Sequence, residues 1–184
     1  MALTAGQLAA IKADIAASGD LNTAASDQAV ADLYNVIVPT WFAWNPSTPL
    51  SAIVDAITWA NFTPQDVADT TVQWGNRSLA CQGKQLNIQT MLLVSQSPNN
   101  SGPVIDATKS NLRAGLQDSL GQLPSGASGA SKNAGWTAVQ LILSRATTRA
   151  EKLLSTGTGS QAVPVTMGFV GPISASDVDA ARHS

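Results

Sequence analysis

No helix can run through the stretch Thr40-Trp41-Phe42-Ala43-Trp44-Asn45-Pro46-Ser47-Thr48-Pro49. Proline lacks an amide donor, fixes its own φ, and pushes the residue before it out of the helical region. Pro39 stands directly before the stretch. The fold must therefore place helical segments on either side of a rigid, extended connector. If that connector is strand-like, Trp41, Ala43 and Asn45 face one side, and Phe42 and Trp44 the other. The rings then either plug the core of the domain or anchor a neighbouring subunit, the two common uses of large aromatics.

On both sides the apolar residues recur with helical spacing. Leu3, Leu8, Ile11 and Ile15 predict a first helix, with Thr4 and Gln7 three residues apart as a capping box. It should stop at Ser18-Gly19, where glycine would supply the left-handed conformation of a helix end. A second helix is expected from Asn22 or Thr23, with Ala25, Ala29, Val30, Leu33 and Val36-Ile37 on one face, ending before Pro39. A short helix over residues 51–60 follows, capped by Ser51. A long one then opens at Thr63-Pro64, with Asp66 and Asp69 in its first turns, and keeps its apolar recurrence to about Val94.

The run Ser95-Gln96-Ser97-Pro98-Asn99-Asn100-Ser101-Gly102-Pro103 is a loop by its turn residues. Another helix is expected from Asp106 to Leu120 or Leu123, and Pro124-Ser125-Gly126-Ala127-Ser128-Gly129-Ala130 is a flexible link. A helix from near Ser131 carries Trp136, Val139 and Leu141-Ile142-Leu143. Thr148 and Glu151 form a second capping box, which argues for a break at Ala146-Thr147. After Gly157 and Gly159 the pattern alternates over residues 162–170, the one strand expected, and Ser174 caps a last turn. The expected fold is mainly α: a bundle of five to seven helices with one or two short extended segments. Residues 1–156 would form the helical domain and residues 157–184 a C-terminal arm or tail of the same domain, open to binding a partner.

Charged residues make up 12% of the chain and hydrophobic ones 44%, against a usual charged share of about 25%. Glu151 is the only glutamate. Either the composition is simply biased toward alanine, or part of the surface packs against copies of the chain. The net charge of −2 and the single scattering of ten basic residues give no field for sequence-independent DNA binding. Lys109 with Arg113, and Arg145 with Arg149, are each four apart and would share a helix face. They are read as ordinary solvated charge, or salt bridges to Asp106 and Asp118, or as a polar face meeting an acidic partner or passing DNA.

Catalytic chemistry finds little to work with. A nucleophile needs a base, and the single histidine, His183, is next to last in the chain. Cys81 lies in a helical pattern and reads as a buried small hydrophobe. One cysteine gives no thiolate zinc set, and Asp66 with Asp69 or Asp177 with Asp179 are explained by helix capping. The glycines of Ser155-Thr156-Gly157-Thr158-Gly159-Ser160 lack the lysine of a phosphate loop and follow a helix. No cofactor and no metal are expected. No stretch reaches the length of a membrane span, and Met1-Ala2-Leu3-Thr4 does not open a signal peptide.

Several stretches together carry a resemblance. They are Leu3-Thr4-Ala5-Gly6-Gln7-Leu8 with Ile11-Lys12-Ala13-Asp14-Ile15, and Ala31-Asp32-Leu33-Tyr34-Asn35 followed by Pro39 and the Trp44 segment. Further on are Lys109-Ser110-Asn111-Leu112-Arg113-Ala114-Gly115-Leu116, Arg145-Ala146-Thr147-Thr148-Arg149-Ala150-Glu151 and Thr156-Gly157-Thr158-Gly159. Phe169 with Gly171, and Asp177-Val178 before Ala180-Ala181-Arg182, complete the set.

With these the chain resembles tailed-bacteriophage structural proteins of the neck, the head–tail connector. The resemblance implies a virion protein made in the host bacterial cytoplasm, not an enzyme. It would be an adaptor forming a ring, twelve-fold in the helical adaptors known there, between the portal protein and a stopper or tail-terminator protein. Double-stranded DNA would pass through without sequence-specific binding. Under this expectation Trp41, Phe42, Trp44, Val163, Val165, Met167, Phe169, Val170 and Ile173 are the candidate partner contacts. Lys109, Arg113, Arg145 and Arg149 are the candidate channel-face residues. The alternatives are another phage structural role, in tail completion or on the capsid, or a small hydrolase, whose His-based mechanism would have to use His183.

Overall fold

Two units divide the chain: Met1–Trp44 with Arg145–Ser184, and the intervening Asn45–Ser144. The computed structural model describes residues 3–62, 74–99, 102–123 and 133–184. The first unit opens with α1 (Ala5–Ala17), α2 (Gly19–Asn22), α3 (Asp27–Tyr34) and strand β1 (Ile37–Trp44). The second holds β2 (Thr48–Pro49), α4 (Leu50–Ala56), a 3₁₀ turn (Trp59–Phe62), α5 (Trp74–Ser95), β3 (Gln96–Asn99), β4 (Gly102–Ile105), α6 (Ser110–Gly121) and α7 (Trp136–Ile142). The return to the first unit runs through β5 (Ser144–Thr148), α8 (Arg149–Leu153), β6 (Ser155–Thr156), β7 (Thr166–Met167) and α9 (Ala175–His183).

This corrects the expected fold class. Among the described residues there are nine helices and seven strands in three small sheets, a mixed α/β architecture in place of a mainly α bundle of five to seven helices. The extra strands arise where β-branched, aromatic and turn residues interrupt helical spacing. Val36-Ile37-Val38 leads into Pro39, so α3 ends at Tyr34 with Asn35 as its C-cap, and β1 starts at Ile37. The segment expected as a loop after Ser95 is a hairpin: β3 and β4 pair antiparallel, Asn99 opposite Gly102, and β2 adds to the other edge of β4. Ser144-Arg145-Ala146-Thr147-Thr148, expected as helix with a break at Ala146-Thr147, is strand β5 beside β1.

Three of the expected caps form, but other helix starts differ. Helix α3 begins at Asp27 under a Ser26 cap and not at Asn22 or Thr23. Ser51 lies inside α4, which follows Pro49, and α6 begins at Ser110 and not at Asp106. Thr4 accepts from the Gln7 amide while Gln7 accepts from the Thr4 amide, closing the first capping box. Thr148 and Glu151 close the second, and Ser174 with Asp177 caps α9. Gly19 does not end α1 in a left-handed conformation but opens the four-residue α2. Cys81 is buried on α5, as expected. The start of the long helix expected at Thr63-Pro64, with Asp66, Val67, Asp69 and Val72, lies outside the described residues, as does the link over 124–130.

The core of the first unit joins residues far apart in sequence. Ile11, Ile15, Leu21, Val30, Ala31 and Tyr34 pack with Ala150, Phe169, Ile173, Val178 and Ala181. Helix α9 lies against both α1 and α3. Residues 157–184 belong to this unit. In the second unit α5 packs on α6, where Gly115 lets the Met91 thioether occupy the space a Cβ would take.

One glycine holds a position no other residue can. Gly159 has φ +64°, and a Cβ there would overlap the Trp41 indole. Its carbonyl accepts from the Phe42 amide at 2.7 Å. Gly159→Ala is expected to cost about 1–3 kcal/mol, combining the left-handed penalty with displacement of the ring. Urea unfolding followed by tryptophan fluorescence measures it; an unchanged midpoint refutes this account of the Trp41 seat.

Candidate functional site

The start of α8 gathers a cluster of the first unit's charged side chains. Glu151 is 2% exposed and meets Arg145 through two parallel hydrogen bonds of 2.9 and 2.6 Å. It also accepts from the Thr148 amide at 3.0 Å and the Gly171 amide at 3.4 Å. Burial pushes this carboxyl up, but the Arg145 hydrogen bonds, the Thr148 amide and the Arg145 charge outweigh it and hold the pKa below the usual carboxylate value. One carboxylate thus ties β5, the first turn of α8 and the segment leading to α9.

Arg149, the first residue of α8, points to the other side. It bonds Asp20, lies 3.8 Å from Asp14, and stands 5.8 Å from the centre of the Tyr34 ring. The Arg149 hydrogen bond holds the Asp20 carboxyl below its ordinary value, and Asp20 in turn raises Arg149. The Tyr34 hydroxyl donates to Asp14 at 3.0 Å; burial, then the Asp14 charge, push its pKa up. Beside this cluster a groove of about 390 Å³ is lined by Asp14, Val38, Arg149, Lys152 and Leu153. Lys152 sits 5.1 Å from the centre of the Trp41 ring, whose Nε1–H donates to Ser155 Oγ at 3.2 Å. The chemistry on view is positional: paired charges, and cations held over aromatic rings.

The structure places the sequence-predicted residues in three settings. Val165, Phe169 and Ile173 are buried in the first unit, so their apolar faces are occupied within the chain. Trp41, Phe42, Trp44 and Met167 are half-buried, with the Met167 sulfur 3.6 Å from Arg145. Val163 and Val170 are exposed. Of the basic candidates, Arg145 and Arg149 are held as described and do not share a helix, since one is in β5 and the other starts α8. Arg113 donates to the Ala107 and Thr108 carbonyls at 2.7 Å each, and Lys109 is exposed at the start of α6. Asp118 pairs with Lys84 at 3.8 Å. His183 closes α9, its Nδ1 beside the Asp179 carbonyl and carboxylate at 2.8 and 3.2 Å. Among the described residues no group of three His, Cys, Asp or Glu side chains could hold a metal ion, and no helix is long and apolar enough to cross a membrane.

Sequence reasoning missed the exposed aliphatic residues of α5, of the start of β1 and of the residue just before it. Leu86, Leu93 and Val94, with Val36 and Ile37, stand in solvent. Their signal was present: the α5 segment is apolar at more positions than one buried stripe requires. No family model matches the chain, and neither a curated protein nor a solved structure matches it.

The charge on Glu151 makes a prediction. Glu151→Gln keeps the side-chain shape and is expected to cost roughly 2–3 kcal/mol at neutral pH by weakening the Arg145 hydrogen bonds. A carboxyl held low in the folded state gives stability that is full above its unfolded pKa, about 4.3, and lost as pH falls through its folded pKa. Wild type should therefore lose stability on acidification more steeply than Glu151→Gln, measured as urea midpoints from pH 7 to the acid limit. Equal acid slopes would exclude this role.

Proposed function

We propose that this chain is a non-catalytic structural subunit of a tailed-bacteriophage particle that assembles with copies of itself, in the position of an adaptor ring between portal and stopper or tail terminator. One observation carries the self-assembly. Val36, Ile37, Leu86, Leu93, Val94, Leu141, Val163 and Val170 are large aliphatic residues left exposed on a chain with only ten basic and twelve acidic side chains. Apolar surface in water is unfavourable in proportion to its area, and larger exposed patches mark sites where another molecule sits. The resemblance to neck proteins supports the phage setting. In a closed ring each copy buries two lateral faces, which a weakly charged surface suits.

A second phage role has its own support. The C-terminal segment that would dock into a portal is packed into the first unit through Phe169, Ile173, Val178 and Ala181. That packing favours a tail-completion or capsid-associated subunit, which has no need of a free arm.

Light scattering of the purified protein, alone and mixed with its phage's portal, separates these. Ring formation or stoichiometric capture by portal is the expected result for the adaptor. A species that assembles alone but ignores portal moves the subunit elsewhere in the particle. A monomer that ignores portal overturns the reading.

A further inference from the structure

We propose that the outward face of helix α5 is the surface through which one copy of this chain packs against a second copy. The proposal rests on the reading of the chain as a self-assembling subunit and adds the surface it uses. Cys81, Ile88 and Leu92 turn inward and are buried. Gly83, Leu86, Asn87, Thr90, Leu93 and Val94 turn outward and are exposed, Leu86 by 63%, Leu93 by 67% and Val94 by 72%.

The spacing is regular. Leu86 and Leu93 are seven residues apart, so they fall on nearly the same line of the helix, about 10.5 Å from each other. Gly83 and Thr90 alternate with them along that line, giving small, large, small, large. Large residues with small ones between them form the knobs and gaps that helix packing needs. Gly83 has nothing within 4 Å of where its Cβ would lie, so the gap it leaves is open to an incoming side chain.

Charge identifies the occupant. From residue 81 to its end, α5 has a single charged residue, Lys84. Lys84 donates to the Asp118 carbonyl at 2.5 Å and lies 3.8 Å from its carboxylate, on α6. The seam itself carries none. A partner with an ordinary charged surface would bury charges there without counterparts, at a cost of several kcal/mol each. A second copy of this chain, with 12% charged residues, brings uncharged surface and avoids that cost.

The test is a Leu86→Glu/Leu93→Glu double variant of the full chain, compared with wild type by light scattering over a concentration series, alone and with portal. Both positions are exposed, so the thermal midpoint should stay within a few degrees of wild type, which establishes that the variant folds. Expected is loss of self-association by at least about a hundredfold, the effect of burying two unpaired carboxylates. A Leu86→Met/Leu93→Met variant, apolar and of similar volume, should assemble as wild type does. A Glu variant that assembles as well as wild type overturns the seam and leaves the self-assembling subunit standing on another surface. A wild type that is monomeric in both settings overturns the seam together with that reading.

Discussion

Glu151 is the constraint on which the first unit depends. The chain leaves that unit at Trp44 and comes back at Arg145, and it must re-enter in one register. A hydrophobic contact alone would accept several. The only glutamate in the sequence, buried and gripped by Arg145 while it caps its own helix and accepts from Gly171, accepts one. A buried ion pair adds little net stability over a well-packed apolar substitute. Its contribution here is direction, since a misplaced return would strand a charge in the core.

The same return explains how the unit's core is built. Helices α1 and α3 present Ile11, Ile15, Val30 and Tyr34, yet they bury these residues only when Phe169, Ile173, Val178 and Ala181 arrive from the far end of the chain. Asn35 marks the meeting place, donating to the Ile173 carbonyl and accepting from its amide, both at 2.9 Å. Such closure carries a loop entropy that local helices do not. The unit is therefore the part of the molecule whose folding should be limited by non-local contacts. The Asn45–Ser144 unit, by contrast, is one continuous stretch of chain.

Several of the charges among the described residues are paired with one another. Arg149 is engaged by Asp14 and Asp20, Arg182 by Asp27 at 3.0 Å, Lys84 by Asp118, and Arg145 by Glu151. Much of the surface that remains is uncharged, with aliphatic residues set among Asn, Thr, Ser and Gln. Association through it gains little from electrostatic steering and should be insensitive to salt. Assembly would then proceed at the modest rates of unsteered docking and rely on slow dissociation. Those properties fit the proposed particle subunit better than they fit a transient binder.

Three helix starts were legible in the sequence because a cap is a contact across three residues: Thr4 with Gln7, Thr148 with Glu151 and Ser174 with Asp177 need no knowledge of the rest of the chain. The burial of Cys81 was legible too, from its place in a helical pattern. The small sheets were not. The hairpin of β3 and β4 was visible only as turn residues, and β5 was hidden because Ser, Arg, Ala and Thr have no strong preference until β1 lies beside them. Nor could spacing tell that Arg145 and Arg149 would part company at a strand–helix junction, or that Phe169 and Ile173 would be claimed by residues near the other end of the chain. Local hydrogen bonds and side-chain sterics act over a few residues and are written in the sequence. Strand partners, and the choice of which apolar residues stay exposed, are decided only by tertiary structure, because they depend on surfaces the chain brings together from far apart.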